Sequence, residues 1–219
     1  MPTEQRTLAQ SAYGEIRTMI VNGELPPRTK MIVRVLSERL GLSATPIKSA
    51  LAALERDGFL TAVPHRGFYV PEIGLHDMLE IYELREMLDG IAGRKVARSP
   101  DAAEFVRGVL APLVAQQRER GDQGYLAGLR DLDMEFHRAI WHTSGNARLA
   151  QVTDNLGGQI RLAWSVQAAG GVQRALREHQ AIMDAIAASD PDRAERASRA
   201  HVRHSVVAFE KAVRQASGT

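Results

Sequence analysis

Asp133 and His137 stand four residues apart in DLDMEFHRAIWH, a spacing that puts both side chains on one face of a helix. The same face carries Leu126, Leu129, Phe136 and Ile140. Burying that stripe would take a carboxylate and an imidazole out of water, which is costly unless they find partners. His179 repeats the anomaly among Val172, Leu176, Met183 and Ile186, and His201 repeats it on a stripe of Ala194, Ala197 and Ala208. One carboxylate and three neutral imidazoles are a donor set for a first-row divalent ion such as zinc, nickel or manganese. A single buried histidine is more often a satisfied core residue. Four such positions on three separate helices favour a shared metal site.

The chain has no cysteine, so a metal must use His, Asp or Glu, and no disulfide framework exists. His142, His204, His76 and His65 lie off these stripes and are given no ligand role. His142, five residues beyond His137, is rotated off its face.

The elements that must position these residues follow from periodicity and punctuation. From Leu75 onward the pattern is helical, with helices expected near 75–98, 101–120, 123–144, 146–168, 172–188 and 191–215; Ser99-Pro100-Asp101 and Asp190-Pro191 mark two starts. Before that, helices are expected over 8–22, 33–40 and 46–57, with ELPPRTK as a loop and Gly41 and Gly58 as terminators. Ser43 and Thr45 are cap candidates ahead of Pro46. FLTAV, PHRG and FYV then read as strand, tight turn and strand. The fold class is mainly α: a winged helix-turn-helix over 1–70, a linker over 71–74, and an all-helical bundle of about six helices over 75–219.

Residues 1–70 carry a net charge of +3 and residues 71–219 a net of −1. A mildly basic front piece suits a module that binds a polyanion. The turn at Gly41 lets the 33–40 and 46–57 helices cross steeply, so the second can enter a major groove with its N-terminal residues nearest the base edges. Ser43, Thr45 and Lys48 lie at that end, Arg34 is placed to reach phosphate, and His65, Arg66 and Gly67 form the hairpin tip. Helical triplets with a hairpin also serve as protein-docking modules; the ordering and the glycine turn favour duplex DNA. No apolar run approaches a bilayer span and MPTEQRTLAQ is not laid out as a secretion signal, so no membrane partner and a cytoplasmic location are expected.

The stretch LSERLGLSATPIKSALAALERDGFLTAVPHRGFYV resembles the DNA-binding domain of the GntR superfamily of bacterial transcription regulators. The resemblance implies a winged helix acting as a homodimer on a palindromic operator. Two positions depart from the family pattern: Ala44 and Lys48 stand where arginine is common. Alanine cannot donate to a guanine edge and lysine lacks the planar fork, so the family's usual operator does not carry over.

YELREMLDGIAGRKVA, DMEFHRAIWHTSGNARL and REHQAIMDAIAASDPDRAERASRAHV are similar to the all-helical FCD effector domain of the FadR branch of that superfamily. This resemblance implies that Asp133, His137, His179 and His201 hold a divalent metal that in turn holds a small carboxylate effector. Arg85, where the family often has a pocket arginine, and Arg161 in QIRLAW are the candidates to receive such an acid through a planar fork. Each could equally be a salt-bridge residue.

The expected function is thus a DNA-binding regulator, a repressor, whose operator affinity responds to an organic acid at the metal. The short 71–74 connection would couple the two pieces. A metal hydrolase or isomerase using the same donors is the alternative of a different class, but no spare general base lies on the stripes and the winged helix would go unexplained. A regulator that senses the metal itself, and a cluster that only stabilises the bundle, are the remaining readings.

Overall fold

The computed structural model describes residues 7–122, 128–163 and 171–217, apart from the side chains of 161–163, 212 and 215–217. By packing, the chain divides into two compact units, one formed by Met1–Gly74 and Gly158–Ser165, the other by Leu75–Gly157 and Val166–Thr219.

In the first unit, α1 (Leu8–Val21) starts at a reciprocal cap: the Thr7 hydroxyl accepts from Gln10 N–H, and the Gln10 side chain accepts from Thr7 N–H. Helix α2 (Val33–Leu40) stops at Gly41, whose φ of 65° is a left-handed conformation that costs glycine nothing. Helix α3 spans Ala44–Arg56, two residues earlier than the sequence reading. Pro46 is therefore the third helical residue, where a missing N–H still costs no intrahelical bond. Ser43 stands at the N-cap, but its side chain makes no capping hydrogen bond, and Thr45 lies inside the first turn. Both hydroxyls face outward on exposed residues. Ile16, Ile20, Ile47, Leu51, Leu54 and Phe59 close the core between these helices. Strands β1 (Thr61–Val63) and β2 (Gly67–Tyr69) pair antiparallel, Thr61 opposite Tyr69 and Val63 opposite Gly67. They are shorter than the expected FLTAV and FYV, because Phe59, Leu60 and Val70 are drawn into the helical core.

The remaining helices are α4 (Leu75–Ala97), α5 (Ala102–Phe105), α6 (Ala111–Asp122), α7 (Leu129–Thr143), α8 (Ala147–Ala163), α9 (Val172–Ala187) and α10 (Pro191–Ser217). Helices α5 and α6 form one run, expected as a single helix over 101–120, in which Val106–Leu110 adopts wider π-type turns. The expected starts and ends of the 123–144 and 146–168 helices at 123–127 and 164–168 lie outside the described residues. The division into units passes through α8, whereas the sequence reading ran 75–219 without a break.

Helix α10 packs along α4 in close approach. A β-carbon on Gly90 would lie 2.7 Å from the Arg199 side chain, and one on Gly93 would lie 2.6 Å from Ser198 Oγ. Beneath this seam, Val96, Leu110, Phe136, Trp141, Ile182 and Ile186 form the bundle core. No helix among the described residues is long and apolar enough to cross a membrane.

Candidate metal centre and nucleic-acid interface

Helices α7, α9 and α10 bring Asp133, His137, His179 and His201 together, with one ligand atom of each lying within 4.8 Å of all the others. His137, His179 and His201 are buried, each on the apolar stripe of its helix. Asp133 departs from the sequence expectation, because 38% of its side chain stays exposed. Leu129 on its face is only half-buried, while Leu132 and Met134 on either side of Asp133 are buried, so it is the Asp133 side of the first turns that meets solvent; Leu126 lies outside the described residues.

All three imidazoles present Nε2 to a common centre. His137 Nε2 is 3.1 Å from His201 Nε2 and 3.9 Å from Asp133 Oδ2, and His179 Nε2 is 3.4 Å from Asp133 Oδ1. Each Nδ1 turns outward to an acceptor. His179 Nδ1 is 3.0 Å from Gln117 Oε1, His201 Nδ1 is 2.9 Å from Glu178 Oε2, and His137 Nδ1 is 3.5 Å from Asp89 Oδ2. For His179 and His201 the hydrogen-bonded acceptor at Nδ1 holds the proton there and leaves a lone pair on Nε2, the arrangement usual behind metal-bound histidines, while His137 Nδ1 faces the Asp89 carboxylate at longer range.

The electrostatics point the same way. Burial, then the Arg85 charge and the neighbouring imidazoles, pushes His137 well below the ordinary histidine pKa; burial, then His201 and Arg85, does the same for His179. Both rings are therefore neutral and ligand-competent at pH 7. His179 Nε2 is buried with no hydrogen-bond partner among the described residues, although a buried polar atom ordinarily has one. Metal–nitrogen bonds of about 2.1 Å place neighbouring ligand atoms roughly 3.0–3.4 Å apart. The 3.1 Å and 3.4 Å separations match, while the 3.9 Å one and the 4.8 Å span of the set need closure, so the donor set fits a divalent ion once Asp133 and the rings draw in.

Asp89 links the centre to its surroundings. It accepts from Trp141 Nε1 at 2.8 Å and Arg85 Nη2 at 2.6 Å, besides facing His137. Arg85 is buried, lies 5.0 Å over the Trp141 ring, and keeps Nε without a partner among the described residues. A cavity of about 10 Å³ lies on the other side of Asp89, lined by Asp89, His137, Ile140, Trp141, Ile182 and Ser198. That is room for about one water. Arg161 lies in α8, with its side chain outside the described residues.

On the other unit, Ser43, Thr45 and Lys48 are exposed at the start of α3, as are His65, Arg66 and Gly67 at the β1–β2 turn. Arg34 is exposed on α2 and bridges Glu38 at 3.0 Å. These side chains share one compact unit and stay accessible to a large partner.

Residues 8–70 match the model of bacterial regulatory proteins of the gntR family, and residues 80–204, more than half the chain, match that of the FCD domain. The chain belongs to the GntR family and carries an FCD domain. Similar proteins include a probable D-xylose utilization operon transcriptional repressor of Paenarthrobacter nicotinovorans, 29% identical over 91% of this chain and 89% of that protein. The regulator LutR of Bacillus subtilis is 27% identical over 84% of this chain and 93% of its own length. The solved structure of McbR/YncC from Escherichia coli shares the fold, with a TM-score of 0.75 at 19% identity over 94% of this chain and 99% of that one. The family and these relatives are transcription regulators, not enzymes, and GntR regulators bind DNA operators.

Glu178, Asp89 and Gln117 were missed by the sequence reading. Glu178 directly precedes His179 and so points off its face, yet reaches His201 on the next helix. Asp89 had one signal, its position four residues after Arg85 on a helix; nothing in QQRER distinguishes Gln117.

Proposed function

We propose that this GntR-family protein is a cytoplasmic, homodimeric repressor that binds a palindromic operator through residues 1–70 and senses a small organic acid through a divalent metal held in residues 75–219, with 71–74 as the connection. The observation that carries the metal reading is the convergence of three buried imidazoles and Asp133, with His179 and His201 backed by hydrogen-bonded acceptors at Nδ1 and His137 by the nearby Asp89 carboxylate. His137, His179, His201 and Asp133 would hold the ion, which when bound supplies a Lewis-acidic position for a carboxylate oxygen.

Arg85 supports the acid reading. It is a buried guanidinium beside the centre whose Nε has no partner among the described residues, and a second carboxylate oxygen could meet its fork. Asp89 already occupies Nη2, so an incoming acid competes with or bridges that pair. The cavity next to Asp89 is too small for an acid, which favours approach from the Asp133 side, where the centre meets solvent. Such a ligand changes operator affinity only by the difference between its affinities for the two arrangements of the dimer.

On the DNA side, Thr45 and Lys48 would read base edges, Ser43 and Arg34 would contact phosphate, and His65, Arg66 and Gly67 would follow the groove with the wing. The test is operator affinity, measured by fluorescence anisotropy on a duplex selected from a random pool. Metal-loaded and chelated protein are compared, with citrate, lactate and xylonate as probe acids. Expected are specific binding and a change of tenfold or more with at least one acid, lost on chelation. Binding indifferent to metal and to every acid would overturn the sensor reading while leaving the DNA reader in place.

A further inference from the structure

Gln117 is a neutral side chain buried against the metal centre, with its amide held at both ends. Nε2 donates to the Leu132 carbonyl at 2.9 Å, and Oε1 lies 3.0 Å from His179 Nδ1. A backbone carbonyl only accepts, so the amide can face Leu132 only with its NH2 group. Turned the other way, it would set oxygen against oxygen. Oε1 therefore faces His179 and accepts, which puts the proton on Nδ1 and leaves a lone pair on Nε2. One face of the ring is held as well: it stacks on Phe136, with centroids 4.1 Å apart and planes 20° from parallel.

What brings Gln117 there is a break in helical register. Pro112 has no N–H for the Gly108 carbonyl, and its ring crowds that oxygen. Just before it lies the wide turn Val106–Leu110, after which Ala111 N–H reaches back to the Val106 carbonyl. The four-residue steps from Ala102 through Val106 and Leu110 to Val114 would each drift by about 40° in a regular helix. A wider turn takes back part of that drift. All four residues stay buried, and Gln117 follows them into the core, while Gly108 and Val109 are exposed.

Leu132 directly precedes Asp133, the one partly exposed member of the donor set. A single amide thus ties the turn of α7 that carries Asp133 to the His179 ring on α9. The groups behind the other two rings, Glu178 and Asp89, are carboxylates. Gln117 orients its ring without adding a negative charge.

We infer that Gln117 is a positioning residue of the metal centre, holding His179 in the ligating tautomer and tying it to the turn that carries Asp133. The inference rests on the metal reading of the proposed function.

The test begins with the chelated full chain, its histidine ring nitrogens isotopically labelled for nuclear magnetic resonance. His179, assigned by the loss of its signals in His179→Gln, should carry a proton on Nδ1 and none on Nε2. In Gln117→Met, similar in size but without the amide, the two tautomers should mix. Zinc affinity, from competition with a chromophoric chelator, should then fall about 10–100-fold, the usual cost of losing such a partner. Gln117→Glu should recover most of it, because a carboxyl there accepts from Nδ1 whether or not it is ionised. Circular dichroism serves as the folding control. A chelated wild type with the His179 proton on Nε2 overturns the inference whatever the variants do. So does a folded Gln117→Met that keeps wild-type affinity, or a Gln117→Glu as weak as Gln117→Met. Each of these leaves the metal reading standing, provided that wild type binds the ion. A wild type that binds neither zinc, nickel nor manganese sinks the metal reading, and this role of Gln117 with it.

Discussion

The Nε2 atoms of His137 and His201 face each other across 3.1 Å, while Glu178 and Asp89 stand at their Nδ1 atoms. If both Nδ1 atoms carry protons, two lone pairs meet in the centre. A shared proton or a cation between them removes the repulsion. The second answer also serves His179 Nε2, which has no hydrogen-bond partner among the described residues, and draws Asp133 inward.

Metal binding should therefore stabilise the protein. At a free metal concentration 100 times its dissociation constant, linkage gives about 2.7 kcal/mol. For a domain of this size that is a rise in Tm of roughly 5–10 °C. Differential scanning fluorimetry of chelated protein, with zinc, nickel or manganese added back, reads this directly. The His201→Ala variant should show little of the shift; an equal shift in that variant would place the ion elsewhere.

Glu178 tests the orienting carboxylate separately from the ligands. It accepts from His201 Nδ1 at 2.9 Å and from the exposed His204 Nδ1 at 2.8 Å. Glu178→Gln should lower metal affinity about 10–100-fold, the usual cost of losing such a partner, without unfolding the bundle. His204→Ala, on the outer side of the same carboxylate, should cost much less. Competition against a chromophoric chelator measures both, and equal losses would mean that Glu178 does not act through His201.

What was legible in advance follows from what is periodic. Helical spacing put His137, His179 and His201 on inward stripes, and all three are buried. The Gly41 turn and the PHRG hairpin are local chemistry, and both formed. Glu178 and Gln117 were not legible, because their partners lie on other helices, and residue spacing says nothing about packing between helices. Asp133 was misjudged as buried for a related reason. An apolar stripe fixes which face turns inward, but not where along the helix the core ends.

Without metal, stability should fall as the solution becomes more acidic. Burial, with Arg85 and neighbouring imidazoles, holds the pKa of His137 and His179 well below the ordinary value, whereas both rings titrate near 6.5 in the unfolded chain. Between those limits the unfolded state binds more protons, so unfolding free energy drops as pH falls below about 6.5, by up to roughly 1.4 kcal/mol per pH unit for each ring. Burial raises the Asp133 carboxyl and acts in the opposite sense, starting from the ordinary carboxylate range rather than from the histidine one. Urea unfolding in chelator at pH 8, 6.5 and 5.5 checks the sign. A flat profile would mean that the two rings are not held neutral.

At the wing, the backbone itself marks a residue. His65 has a φ of 63° directly after Pro64, in a turn closed by a 2.9 Å bond from Arg66 N–H to the Val63 carbonyl. Glycine is the usual occupant of such a position, and a side chain there costs on the order of 1 kcal/mol. His65→Gly relieves that strain but adds freedom to the unfolded chain, so stability should change by less than about 1 kcal/mol. If the imidazole meets the groove, operator affinity should nevertheless fall severalfold. Arg66→Ala should weaken binding evenly across sequences and reduce the slope of log affinity against log salt by about 1, as for one lost phosphate contact. Anisotropy titrations at several salt concentrations distinguish these outcomes. Unchanged affinity in both variants would remove the wing from the DNA interface and leave recognition to Thr45 and Lys48 on α3.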